Sequence, residues 1–214
     1  SEWQKLLTNE NLQGVWGYAP AVATNSFPDN GWWEIQWGSK EEAQEAWSEW
    51  SQNEEAAAWN EKYASVLQCD ESLINGFESV FPIASAQYSE LPDSGYFYGE
   101  VHICELNDGS TQEEAISFLS GFTEAVANAD YSDTSYHLGN YFNVDESGGF
   151  LWANFTNSEE SMNKANTSFE ASVRETMFPI FSTFASCGEV PDLYHGFTLY
   201  NADDKDFMPT FPSN

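Results

Sequence analysis

The sequence predicts an α+β protein made of two copies of one β-α-β-β-α-β unit, the first copy lacking its opening strand. Three observations predict it. Short aromatic and β-branched runs alternate with long, capped helical stretches. The chain matches itself at a shift of 118 residues. Its 214 residues are 41% apolar, with 16 Phe, 10 Tyr and 9 Trp, enough to fill a packed core.

Residues 14–23 and 31–37 read as strands, 40–68 as helix and 76–84 as a third strand. Only 13 residues precede the first strand. With Trp3, Leu6 and Leu7 they supply part of a helix but not a strand as well. The second copy is complete. Residues 96–106 read as a strand, followed by the turn Asn107-Asp108-Gly109 and a capping box of Ser110 and Glu113. The next helix puts Ala115, Leu119, Phe122 and Val126 on one face. Strands follow at 135–144 and 150–155, joined by the turn from Asp145 to Gly149. A helical stretch at 158–186, which Pro179 is expected to kink or break, leads to the last strand at 192–200. This is the split-βαβ, or ferredoxin-like, order. The organisation expected is a first unit at 1–90, a second at 91–200 and a tail at 201–214.

The self-match supports the duplication. Gly31-Trp32-Trp33-Glu34-Ile35-Gln36-Trp37 falls on Gly149-Phe150-Leu151-Trp152-Ala153-Asn154-Phe155. Ser39 with Glu42, and Asn157 with Glu160, then fall together as helix starts, and Cys69 falls on Cys187. A missing central strand would leave backbone groups unpaired, and the tail is the segment expected to cover that edge.

Charge narrows the function. There are 35 Asp and Glu against 6 Lys and Arg, a net charge of −29. Such a field repels phosphate backbones and anionic lipid, so neither nucleic acid nor membrane is an expected partner. The acids are spread along the whole chain, as in a protein adapted to marine or halophilic surroundings. No apolar run reaches the ~18 residues that span a bilayer. Cys69, Cys104 and Cys187 show no zinc spacing. The matched pair Cys69 and Cys187 reads as packing residues, with a Cys69–Cys187 bridge left open. Cys104, beside Glu100 and Glu105, reads as a poor thiolate. A reducing, cytoplasmic compartment is favoured over secretion after leader removal. The sequons at Asn154 and Asn166 carry little weight in a chain so rich in Asn, Ser and Thr.

Two such units with aromatic strands resemble the dimeric α+β-barrel superfamily. That group includes antibiotic-biosynthesis monooxygenase-like, EthD-like, stress-responsive and haem-binding barrel proteins. The resemblance implies antiparallel sheets packed as an α+β barrel, within one chain or between two copies in a homo-oligomer. It implies a cofactor-independent enzyme or small-molecule-binding protein. No helix carries a His and few basic residues could hold propionates, which argues against haem. The alternative is a non-enzymatic protein that assembles through its sheets and tail.

The candidate site follows from alternation along strand 96–106. Phe97, Val101 and Ile103 suit a helix-covered face. Tyr96, Tyr98, Glu100, His102 and Cys104 take the other, expected to line the barrel interior. Glu100 and His102 are the candidate acid/base pair; Tyr98, His195 and His137 are the candidate ligand-binding residues. No metal or cofactor is expected from the spacing. The early tryptophans read mainly as core, with a flat-ligand platform as the alternative.

Overall fold

The computed structural model describes residues 2–6, 9–69, 74–84, 94–145, 148–204 and 206–210. A single curled antiparallel sheet runs through it. Its strands are β1 (Leu12–Pro20), β2 (Trp32–Trp37), β3 (Phe77–Ile83), β4 (Tyr96–Leu106), β5 (His137–Asn143), β6 (Gly149–Thr156), β7 (Ala185–Cys187) and β8 (Asp192–Asn201). The order is β2-β1-β8-β4-β6-β5-β3, with β7 pairing β4. The centre of this path, β8-β4-β6-β5, has the ferredoxin-like order of fourth, first, third and second strand. The early strands add to both of its edges: β1 pairs β8 and β3 pairs β5. Residues 1–90 therefore share the sheet of residues 91–200.

The helices are α1 (Lys40–Gln52), α2 (Glu54–Tyr63), α3 (Gln112–Ala127), α4 (Glu159–Ser168) and α5 (Arg174–Phe184), with a π-helical turn at Phe169–Val173. The stretch expected as one helix from 40 to 68 is two. Asn53 ends α1 in an extended conformation and caps α2, its side chain accepting from the N–H groups of Glu55 and Ala56. Pro179 does not end α5. The helix continues past it to Phe184, and burial of Met177 and Phe184 against the sheet offsets the one lost hydrogen bond.

Two caps lie one residue later than expected. Thr111 with Glu114, not Ser110 with Glu113, forms the capping box of α3. Ser158, not Asn157, caps α4 by accepting from the Ser161 N–H. The observed caps Ser39 and Ser158 are 119 residues apart, a spacing that would set Trp33 against Trp152 rather than against Leu151. A shift of 118 across this strand would exchange its two faces.

The convex side carries the main core. Phe118, Leu119, Phe122 and Val126 of α3, with Val173, Met177 and Phe184, pack on Leu138, Phe142 and Phe150 of the sheet. Trp152 sits edge-on to Phe122 at 4.9 Å and to Phe181 at 5.8 Å. The loop between β1 and β2 is pinned at its base. Asn25 exchanges two hydrogen bonds with the Leu193 backbone, and Ser26 donates to Asp192 from both its N–H and its hydroxyl.

The cysteines correct two expectations. Cys104 and Cys187 face each other across β4 and β7 and form a disulfide; Cys69 is free and exposed. An oxidising environment maintains such bonds, against the expected reducing one. The described part of the tail does not pair with the outer edge of β2 or β3 either. Ala202 donates to the Gln13 carbonyl and Thr210 to that of Ser94, placing the tail beside β1 and the start of β4.

Candidate functional site

Side-chain alternation in β4 is opposite to the face assignment expected from sequence. Cys104 belongs to the convex, helix-covered cluster, while Phe97 and Val101 belong to a second cluster on the concave side. Tyr98, Glu100 and His102 therefore point away from the barrel interior. Glu100 lies beneath α4, accepting from Asn166 at 2.9 Å and Asn154 at 3.2 Å, with His102 Nε2 3.2 Å away. Burial pushes its carboxyl up, but the hydrogen bonds from His102, Asn166 and Asn154 outweigh this and hold its pKa below the usual value. His195 does neighbour this face across the β4–β8 pair, yet its Nδ1 meets the Tyr96 hydroxyl at 2.9 Å. Both sequon asparagines, Asn154 and Asn166, belong to the Glu100 network. The reason for the reversal is that aromatic residues line both faces of β4, so hydrophobicity could not tell them apart.

The concave face is an aromatic trough. Phe97, Tyr141, Ala153 and Phe155 form its buried floor, flanked by Trp16, Tyr18, Val101 and Leu151. Glycine makes room for flat rings. A Cβ on Gly196 would lie 2.0 Å from the Phe97 ring, and one on Gly99 3.3 Å from Phe155. At one end a depression of about 360 Å³ is lined by Asn75, Phe77, Ile103, Asn143 and Leu151 among others. Phe77 and Phe81 of β3 stand edge-on to Tyr141 at 6.3 and 5.7 Å.

Glu34 enters this trough from β2. Its register partner is Trp16, and Trp32 lies opposite Tyr18, so both β2 side chains share the concave face. Tyr18 donates to Glu34 Oε2 at 2.5 Å and Tyr141, from β5, donates to the same oxygen at 3.3 Å. Among the described residues Oε1 takes no hydrogen bond. Glu34 as a whole is half-buried, and its carboxyl group is closely surrounded by protein. Burial raises its pKa, and the two tyrosine hydrogen bonds only partly oppose this. Burial likewise lifts Tyr18 and Tyr141 well above the usual phenol value, with the Glu34 charge adding to the effect. Sequence reasoning passed over Glu34. Its one signal was a lone acid between aromatic neighbours in Trp32-Trp33-Glu34-Ile35.

Of the expected site residues, His137 alone lies in the trough. Its ring stacks on Phe155 at 4.9 Å and 24°. Nδ1 is buried near the Ser135 backbone without a full hydrogen bond. Burial lowers its pKa to about 4, the Ser135 backbone opposing weakly. A base depressed in the folded state stabilises the fold above its unfolded value, near 6.5, and loses that contribution as pH falls towards 4. Urea titrations at pH 7 and pH 4.5 are expected to show the native protein losing about 2 kcal/mol more than a His137→Phe variant. Equal losses would mean that the ring is solvated. Trp32 Nε1 is also buried, close to the Tyr194 hydroxyl but short of a full hydrogen bond.

No group of three or more His, Cys, Asp or Glu side chains placed to hold a metal occurs among the described residues, and no helix there is long and apolar enough to cross a membrane. No protein-family model matches the sequence, and no curated protein matches it. Solved structures do resemble the fold. A protein of Lactobacillus acidophilus NCFM, named by inference as a monooxygenase, superposes with a TM-score of 0.51 at 9% identity, over 92% of this chain and 82% of its own. An anthrone oxidase-like protein superposes with a TM-score of 0.51 at 12% identity, over 95% and 86%. At these identities the likeness establishes a monooxygenase-like α+β fold with a half-barrel sheet.

Proposed function

We propose that the concave trough binds a flat, uncharged carbon acid and that Glu34 takes a proton from it, as in a cofactor-independent oxygenase. The observation that carries this reading is the enclosed Glu34 carboxyl, held through one oxygen by two tyrosines in an aromatic cleft. A carboxylate with a raised pKa is a stronger base than an ordinary one. Tyr18 and Tyr141 orient it, and the surrounding rings exclude water and stack on a planar ligand. With molecular oxygen as co-substrate, one activated methylene group and one dioxygen become one carbonyl group and one water. Glu34 Oε1 accepts the first carbon-bound proton, and the enolate passes electrons to oxygen as a C–O bond forms. The O–O bond then breaks as the second carbon-bound hydrogen leaves as a proton, and the oxygen atom released departs as water with both protons. The two structural neighbours, one named for monooxygenase and one for anthrone oxidase chemistry, support this choice.

Two tandem ferredoxin-like units complete the proposal, with β1, β2 and β3 as the second, third and fourth strands of the first. Glu100, His102, Tyr98 and His195 then act as a junction under α4, and His137 as a neutral wall of the trough. Anthrone tests the reading. Quenching of tryptophan fluorescence is expected in the micromolar range, with oxygen uptake in the absence of added metal or flavin. Neither quenching nor uptake would sink it. A second reading, assembly through open sheet edges without catalysis, is favoured by β2 and β3, whose outer edges pair with no described strand.

A further inference from the structure

We propose that Trp32 and Tyr194 form a carbonyl-binding corner of the trough, and that the substrate is a planar aryl ketone whose acidic methylene and carbonyl stand at opposite ends of one ring. The inference rests on the proposed function and deepens it by naming the substrate class.

The first observation is an unused donor. Trp32 Nε1 is buried and makes no hydrogen bond. Buried N–H groups without an acceptor are rare, because the lost hydration is not replaced, and one in a cleft calls for a ligand that completes it. Trp32 opposes Tyr18 across the β1–β2 pair and so shares the concave face. Phe27, from the loop between β1 and β2, stands edge-on to its indole at 5.5 Å and 80°.

The second is the hydroxyl beside it. Tyr194 lies opposite Gly99 of β4, and its ring stands edge-on to Tyr18 at 6.1 Å and 84°. Its hydroxyl donates to Asp192 Oδ2 at 3.3 Å, a long bond, while Asp192 Oδ1 is fixed by the N–H and hydroxyl of Ser26. So weak an attachment lets the phenol turn its proton to a ligand oxygen. Burial, helped by the Asp192 charge, pushes its pKa up to about 12, so it stays a donor at neutral pH. An indole N–H and a phenol O–H carry no charge, which suits a neutral carbonyl better than a carboxylate or phosphate.

The third is the distance to the base. Trp32 and Glu34 are alternate residues of β2 on one face, hence about 7 Å apart along the strand. Tyr18 links them, lying opposite Trp32 and donating to Glu34. A simple ketone carries its acidic hydrogen on the carbon next to the carbonyl. The separation of donor and base suits a ketone in which a ring stands between the two, laid on the aromatic floor. As Glu34 Oε1 takes the proton, the carbon–hydrogen electron pair passes through the ring to the carbonyl oxygen. The two donors then hold the enolate oxygen, and no proton leaves either of them.

The test compares anthrone with 9,10-dihydroanthracene, which keeps the ring shape and lacks the oxygen. In equilibrium dialysis under nitrogen the native protein is expected to bind anthrone at least about tenfold more tightly. Trp32→Phe should bring this preference close to unity and Tyr194→Phe should reduce it, with 9,10-dihydroanthracene affinity kept in both. Exchange of the anthrone methylene hydrogens for deuterium should fall about a hundredfold in Trp32→Phe. On the native protein, the indole N–H resonance of Trp32 should move downfield with anthrone and stay in place with 9,10-dihydroanthracene. Equal affinities for the two compounds, or an indole resonance that anthrone does not move, would overturn the proposal. Equal affinities in a protein whose turnover needs Glu34 would overturn the corner alone. A clear anthrone preference in a protein whose Glu34→Gln variant turns over normally would support the corner and count against Glu34 as the base. Binding of neither compound would overturn both.

Discussion

Replacing Glu34 with Gln is expected to abolish oxygen uptake with anthrone while making the folded protein more stable at neutral pH. The two effects share one cause. The native carboxyl is raised by burial, so the folded state prefers its protonated form. The sign follows from linkage: a raised folded pKa gives a contribution that is complete below the unfolded value of 4.5 and is lost as pH rises through the folded one. At pH 7 the charged carboxylate sits in an aromatic trough that hydrates it poorly, and tyrosine hydroxyls compensate only in part. Glutamine keeps the shape and accepts from Tyr18 and Tyr141 without the charge. Turnover should fall by at least about a hundredfold, the usual range for removing a general base. Anthrone binding, measured by fluorescence, should change far less. A variant that turns over normally would remove Glu34 from the chemistry, and one less stable at pH 7 than at pH 4 by the native margin would show that the carboxyl is solvated.

The largest stability loss is expected from removing the disulfide. Cys104 and Cys187 are separated by 83 residues, and closing a loop of that length restricts the unfolded chain by about 4.5 kcal/mol. The bond also fastens β7, and with it the end of α5, to the sheet at a point where Cys104 is fully buried. A Cys104→Ala/Cys187→Ala double variant should therefore melt roughly 10 °C or more below the native protein in the absence of reductant. Reductant should lower the native melting temperature towards that of the variant and leave the variant unmoved. Native and variant proteins melting together without reductant would mean that the bond does not form.

Much of the fold was legible because local signals and tertiary needs agree. Strand β4 was expected at the bounds it has, and the apolar spacing of Ala115, Leu119, Phe122 and Val126 marked the buried face of α3. Where the two diverge, reading from sequence slipped. Asn53 interrupts a stretch with continuous helical composition because its side chain satisfies the next helix's N–H groups. The caps moved by one residue because Ser, Thr and Asn stand side by side there, and each can accept the same bond.

The site was less legible, for a physical reason. Alternation separates the two faces of a strand but does not say which face the helices cover. In β4 both faces carry aromatics, and only the packing of Trp152, Phe150 and Cys104 against α3 and α5 decides between them. The trough draws Tyr18 and Glu34 from the first quarter of the chain and Tyr141 from the third, residues with no common spacing. By itself the sequence determined the α+β class, most of the element order and the acidic, aromatic character, since these depend on local pattern and composition. The tertiary structure alone decided which cysteines pair and which acid is buried, because both depend on strands brought together from distant parts of the chain.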